Sequence, residues 1–333
     1  MKTCSKCILT EKFPGISFDA EGVCNFCRDA EAKGKEKVDE EKKQCLAKFN
    51  YLIGQVKGTS EYDCTVSFSG GKDSSYTLYL VKEVFGLNPL ALTFDNGFIS
   101  DQAFRNIRTV TEHLKVDSII FKPDFSLMKK VFRHAVDHPM YSPKTLESAS
   151  TICTSCIGMA KFSLLKIALE RKIPMMAWGW TPGQAPVRSS IMKINAALFR
   201  ATQEALRKPM VEVAGPELNR YFLQDKAFEN PASFPYNISP LAFTDYNEHI
   251  IIDKISEFGW KAPEELDANS TNCLLNSFAN QMHIDRHGFH PYAFEIASLV
   301  RSGSMPREEA LEKMTEKDVD VTKEYVKKKL EIK

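Results

Sequence analysis

Ten residues constrain the fold of this chain more than any others: Val66-Ser67-Phe68-Ser69-Gly70-Gly71-Lys72-Asp73-Ser74-Ser75. A short β-prone run, Cys64 to Phe68, breaks on two adjacent glycines and enters a stretch with helical character from Ser74 to about Val84. A strand, a Gly-rich loop and a helix in that order make a phosphate cradle. Gly70 and Gly71 let the backbone approach an anion with no Cβ in the way, and their N–H groups can turn inward. The following helix presents its positive end and unpaired N–H groups to the same anion. Ser69, Ser74 and Ser75 add hydroxyls, and Lys72 adds a point charge. The nucleotide triphosphatase loop spaces its glycines differently, with four residues between them, so that chemistry is not the one indicated.

From Tyr62 onward strand and helix patterns alternate, which predicts an α/β fold with a doubly wound parallel sheet. In such a sheet ligands sit beyond the C-terminal strand ends. The second strand, Pro89 to Phe94, ends in Asp95-Asn96-Gly97-Phe98 and therefore places the segment Thr93 to Phe98, with Thr93, Phe94 and Asp95 as its first residues, where an adenine and ribose would lie. A helix, Gln102 to Leu114, and a third strand, Ser118 to Phe121, follow. Another strand, Met175 to Trp178, ends in Gly179, with Arg188 just beyond as a candidate contact for a phosphate or acidic group. Helical character returns over Ile194 to Lys208. Ser239-Pro240-Leu241 to Gly259-Trp260 reads as a strand, a loop and a closing helix.

Nine cysteines are many for a chain with no secretory signal, and seven of them fall in a telling order. Cys4-x-x-Cys7 and Cys24-x-x-Cys27 supply four thiolates at the spacing of a tetrahedral zinc site, and a module of some thirty residues needs such a staple to fold. Four cysteines leave no open coordination position, so this Zn²⁺ is structural. Cys153-x-x-Cys156 opens a helix before a sheet strand and faces the edge that carries the phosphate loop; Cys273 follows the closing helix. Three thiolates suit a [4Fe-4S] cluster with one iron open to an outside ligand. A redox dithiol, or cysteines of purely structural use, are the competing readings of that trio.

The chain divides on this reading into a zinc-ribbon-like module (1–32), a charged linking helix (33–60), the nucleotide domain (61–285) and a helical C-terminal segment (286–333). Net charge is +1 with 43% hydrophobic and 26% charged residues, which excludes a strongly basic nucleic-acid binder and fits an ordinary globular protein. No uninterrupted apolar run approaches a membrane span, so a cytoplasmic protein with no membrane partner is expected.

The run Ser69-Gly70-Gly71-Lys72-Asp73-Ser74 resembles the pyrophosphate loop of the N-type ATP pyrophosphatases, which have an adenine nucleotide alpha hydrolase-like fold. That resemblance implies ATP and Mg²⁺ as ligands, Lys72 and Asp73 as catalytic groups, and cleavage of ATP to AMP and pyrophosphate while an adenylate forms on a substrate oxygen. Two branches of that superfamily compete. Cys153, Cys156 and Cys273, with Lys161 as a basic residue on the same helix, resemble the pattern of the cluster-dependent tRNA 2-thiouridine and 2-thiocytidine synthetases. There sulfur replaces the activated oxygen, and a sulfur donor and tRNA are the partners. Cys4 to Leu9, Phe18 to Cys27, Gly86 to Leu90, Trp178-Gly179 and Leu299-Val300-Arg301 through Ala310 resemble the N-acetyl sugar amidotransferases of surface-polysaccharide synthesis. Those enzymes take ammonia from a glutaminase subunit and act on a nucleotide sugar. A small-molecule amide is a further substrate class open to either branch, and relatives commonly form a homodimer.

Overall fold

The computed structural model describes residues 2–266, 269–315 and 320–332. The four-cysteine loops lead into α1 (Asn25–Lys33) and α2 (Lys35–Val56). The linking segment 33–60 contains one helix, α2, set off from α1 by Gly34, which takes a positive φ of 76° between them. There follow β1 (Cys64–Ser67), α3 (Lys72–Tyr79) with a π-helical turn at Leu80–Val84, β2 (Pro89–Phe94), α4 (Asp101–Leu114), β3 (Asp117–Phe121), α5 (Phe125–Asp137) and α6 (Thr151–Glu170). The second half contains β4 (Met175–Ala177), β5 (Ile191–Lys193), α7 (Ala196–Ala214), β6 (Tyr236–Ile238), α8 (Glu248–Ser256), α9 (Leu275–His287), α10 (Ala293–Arg301), α11 (Arg307–Met314) and α12 (Asp320–Leu330). Part of the expected C-terminal helical segment, 316–319, lies outside the described residues.

One sheet of order β3-β2-β1-β4-β6-β5 runs through the middle. Its first five strands are mutually parallel, as the alternating pattern predicts. The doubly wound parallel sheet carries one antiparallel edge, where β5 pairs with β6. Three residues give too short a run to show a period, so nothing in the sequence marks this strand. The closing strand also ends before Pro240, at Ile238. Proline has no N–H for the ladder, and Pro240–Ala242 forms a single 3-10 turn instead.

Helices cover both faces, and strand residues alternate between two cores. Leu90 and Leu92 pack with Met128, Phe132, Phe162 and Trp178 on one side. Ala91 packs with Val66, Phe68, Val110, Phe243 and Trp260 on the other. α6 is long and apolar enough to cross a membrane by length and composition. Its Ile152, Met159, Phe162 and Leu165 are instead buried in the first of these cores. A third core joins the chain's beginning to its later helices: Leu9, Phe13 and Val23 pack with Phe289, Ile296, Leu299 and Ala310.

The strand order reverses at β1. From there the chain builds outward through β2 to β3 on one side and through β4 on the other, so a crevice opens beyond the ends of β1 and β4.

Candidate active site

A cavity of about 330 Å³ occupies that crevice. Its walls include Ser69, Gly71, Lys72, Asp73, Ser74 and Gly179, all singled out by the sequence, together with Cys153, Cys156 and Cys273.

Hydrogen bonds within the loop and to its surroundings fix it. Ser74 Oγ accepts the Ser69 N–H at 3.2 Å and donates to the Gly71 carbonyl at 3.0 Å, closing the turn on itself. The Gly70 carbonyl accepts from Trp260 Nε1 at 2.9 Å and Asn106 Nδ2 at 3.3 Å. The Lys72 N–H donates to Thr271 Oγ1 at 3.0 Å. The two glycines are required for packing as well as for anion approach. Gly70 has φ +74°, and a Cβ there would lie 2.4 Å from the Ala103 carbonyl oxygen. A Cβ on Gly71 would meet Thr271 Oγ1 at 2.8 Å, and one on Gly179 would meet the Asp73–Ser74 peptide at 3.0 Å. This glycine-walled cradle at a helix start fits phosphate groups, and Asp73 is an oxygen ligand available to Mg²⁺ there.

Lys72 sits at the centre of a charged network brought in by α8. Its Nζ lies 2.7 Å from Asp73 Oδ2, 3.1 Å from the Tyr246 hydroxyl and 3.5 Å from Glu248 Oε2. Burial opposes the ammonium, but Asp73, Tyr246 and Glu248 outweigh it and hold Lys72 protonated well above the usual lysine range. Tyr246 donates to Asp73 Oδ1 at 3.0 Å, and burial beside that carboxylate keeps the phenol from ionising. Glu248 stays ionised despite burial because Lys72 and Lys313 flank it. Across the cavity Glu295 accepts from Thr181 Oγ1 at 2.8 Å; burial raises its carboxyl to about 7, with the Asp73 charge adding to the effect.

The trio reaches the same cavity by two routes. Ser150 caps α6 by accepting the Cys153 N–H at 3.1 Å. Cys153, Cys156, Ile157 and Ala160 then share one helix face by their 3- and 4-residue spacing, and all four line the cavity. Cys273 arrives by pairing with the exit of β2. The Ser100 N–H donates to the Asn272 carbonyl at 2.9 Å, and the Leu274 N–H to the Phe98 carbonyl at 2.8 Å. Between the two routes Asn96 Nδ2 donates to Cys156 Sγ at 3.3 Å and Cys273 Sγ at 3.5 Å. Burial pushes the Cys156 thiol up, and the neighbouring Cys273 adds to it. The three cysteines line one cavity, with two of their sulfurs bridged by an amide donor, and three thiolates are the ligand number of a cluster with one open iron. Among the described residues the N-terminal quartet is the group whose ligand atoms already lie close together.

The N-terminal quartet is tighter. The Sγ atoms of Cys4, Cys7, Cys24 and Cys27 all lie within 4.8 Å of one another and are buried. The contacts Cys4–Cys27 and Cys7–Cys24 are each 3.8 Å. A tetrahedron with Zn–S arms of about 2.3 Å has edges of roughly 3.8 Å, so the donor set fits zinc in type, number and spacing. Burial opposes the Cys4 thiolate, but N–H groups of Cys7, Cys24 and Lys6 overcome it and bring the thiol to about 6.

Other sequence candidates lie elsewhere. Gly70 is behind the cavity wall, and Ser75 is on the fully buried side of α3. Thr93 is buried and donates to the Phe68 carbonyl at 2.6 Å, and Phe94 stacks on Phe121. Asp95 accepts the Gly97 N–H at 2.8 Å and borders a second cavity with Lys122. Of the expected segment Thr93 to Phe98, Asn96 lines the main site and Thr93 to Asp95 do not. Arg188 pairs with Glu41 at 2.6 Å and does not line the cavity. Lys161, one residue past the cysteine face, turns away and rests over the Phe199 ring at 4.4 Å. Its burial lowers the ammonium pKa. Tyr246, Glu248, Thr271, Glu295 and Lys313 carry no motif, and only the fold assembles them.

No family model matches the chain. It is 25% identical over 308 residues to an uncharacterized protein of Methanocaldococcus jannaschii, covering 92% of this chain and 91% of that one. Among solved structures, it is similar to the U34-tRNA thiolase NcsA from Methanococcus maripaludis with its [4Fe-4S] cluster. That match has 16% identity and a TM-score of 0.37, over 92% of this chain and 90% of that one. A predicted subunit of tRNA methyltransferase from Methanocaldococcus jannaschii is also similar, at 16% identity and a TM-score of 0.33, over 70% of this chain and 92% of that one.

Proposed function

We propose that this chain is an ATP-dependent enzyme that forms AMP and pyrophosphate, adenylates a carbonyl-type oxygen of its substrate and replaces that oxygen with sulfur. One observation carries the reading. The loop Ser69 to Ser74 and the three cysteines Cys153, Cys156 and Cys273 line a single cavity.

In this reading Ser69, Gly71, Ser74 and Lys72 hold the β- and γ-phosphates. Loop N–H groups and the Lys72 ammonium take up charge as the substrate oxygen attacks the α-phosphorus. Asp73, whose oxygens accept from Lys72 and Tyr246, would hold Mg²⁺, and Tyr246 fixes Asp73 and Lys72 relative to each other. Cys153, Cys156 and Cys273 would hold a [4Fe-4S] cluster, which supplies an iron site able to carry sulfide. Asn96 orients two of those thiolates. Trp178, stacked on Trp180 at 5.9 Å between ring centroids, closes the cavity beside the loop and excludes water from the activated carbon.

The test is anaerobic purification with iron, acid-labile sulfide and zinc analysis, repeated on Cys153→Ser, Cys156→Ser and Cys273→Ser. Roughly four irons per chain, lost with each substitution, is the expected result. Zinc alone, about one per chain and tied to the N-terminal quartet, would remove sulfur transfer and leave an ammonia-using amidotransferase as the reading to pursue.

A further inference from the structure

A carboxylate that grips two ammonium groups at once marks a place where an anion belongs. Glu248 does this, with Oε2 3.5 Å from Lys72 Nζ and Oε1 2.8 Å from Lys313 Nζ. All three side chains line the cavity and are largely buried, with 11%, 14% and 15% of their surfaces exposed for Lys72, Lys313 and Glu248. Two ammonium groups brought together away from water are costly unless acceptors stand between them. The oxygens of a bridging phosphate would reproduce that arrangement and add charge-assisted hydrogen bonds.

Resting on the reading of Ser69 to Ser74 as a pyrophosphate loop, we infer that Lys313 is a second phosphate-binding residue. Phosphate oxygens of the nucleotide, or of the departing pyrophosphate, replace the Glu248 carboxylate between Lys72 and Lys313. The lysine is well placed for this. It projects from α11, whose first residue, Arg307, donates Nε to the Cys7 carbonyl at 3.0 Å and Nη2 to the Cys4 carbonyl at 3.3 Å. Asn269 Nδ2 donates to the Lys313 carbonyl itself at 2.8 Å. The module that the four cysteines hold together therefore anchors the helix that delivers the second cation.

Calorimetric titration with inorganic pyrophosphate tests this, using the full chain and the variants Lys313→Met, Lys313→Arg, Glu248→Gln and Lys72→Met. Adenosine binding serves as the control for an intact cavity. The expected result is a loss of about tenfold in pyrophosphate affinity for Lys313→Met, the effect of one charge-assisted contact. Lys313→Arg restores most of it, and adenosine affinity does not move. Glu248→Gln, which removes the competing carboxylate and keeps both cations, tightens pyrophosphate binding. If Glu248→Gln and Lys313→Met weaken it alike, the pair merely ties α8 to α11 and the inference is wrong. Lys313→Met that binds as tightly as the unaltered chain also overturns it, while a loss in Lys72→Met leaves the loop reading standing. No pyrophosphate binding by the unaltered chain removes both.

Discussion

The hydroxyl of Thr271 accepts the backbone N–H of Lys72 at 3.0 Å, joining the phosphate loop to the segment that carries Cys273. Two chemistries separated by about two hundred residues are thereby locked to one hydrogen bond. A Cβ at Gly71 would press on that same hydroxyl at 2.8 Å. Gly71→Ala is therefore expected to shift the loop against Thr271 and lower the affinity for a non-hydrolysable ATP analogue by about tenfold or more, the effect of misplacing a cluster of phosphate donors. Gly70→Ala acts on stability instead. It meets a backbone carbonyl at 2.4 Å from a left-handed φ, and a loss of about 2–4 kcal/mol should appear in denaturant unfolding.

Glu295 gives the stability a pH dependence of definite sign. Its carboxyl titrates at about 7 in the folded chain, against 4.5 for an ordinary glutamate. The folded state therefore holds a proton between those limits that the unfolded state has released, and stability falls as pH rises from about 4.5 through 7. Glu295→Gln, which cannot ionise, should unfold at nearly the same denaturant concentration as the parent at about pH 5. At about pH 8 it should be more stable by about 1–3 kcal/mol, discounted for the cavity's contact with water. An equal difference at both pH values would show that the carboxyl is not displaced.

Zinc removal should unfold one corner of the molecule first. Cys4→Ser or Cys24→Ser is expected to lose about one zinc per chain. Because Phe13 stacks on Phe294 at 5.5 Å and packs edge-on to Phe289 at 5.3 Å, the loss should increase hydrogen exchange in α10 before it does so in the sheet. Unchanged exchange in α10 after metal loss would show that the third core stands without its staple.

Asn96 offers a separate handle on the trio. Asn96→Asp sets a carboxylate against Cys156 and Cys273, and like charge should reduce the iron retained after anaerobic purification. Asn96→Ala removes the donor without adding charge. Iron should then remain, with a lower reduction potential, because hydrogen bonds to cluster sulfurs raise it. Equal iron in all three proteins would separate Asn96 from the metal chemistry.

Local sequence was enough to identify whatever local sequence builds. The loop, the N-terminal quartet and the Cys153–Cys156 pair are written in adjacent residues or short spacings, and Cys153 and Cys156 share a face because helix geometry puts them there; Cys273 joins them only through the fold. Residues chosen only for lying near a strand end fared differently. Thr93 and Phe94 point into packing, while their neighbour Asn96 points into the site, a choice set by how 272–274 pairs with 98–100. Arg188 had an acidic partner, Glu41, on α2, which a linear reading has no means to supply. Tyr246, Glu248, Glu295 and Lys313 come from α8, α10, α11 and the approach to α8, and no periodicity connects them.

The grip of Arg307 on the carbonyls of Cys4 and Cys7 spans 303 and 300 positions. During synthesis the four cysteines are made long before α11, with the sheet and its loop between them. The third core, and with it the wall bearing Glu295 and Lys313, has to wait until α11 is made. A chain stopped short of that helix would carry the four cysteines and the Ser69–Ser74 loop without the part of the cavity wall that bears Lys313. Completion of the cavity's lining is thus tied to a helix made some three hundred residues after the cysteines it grips.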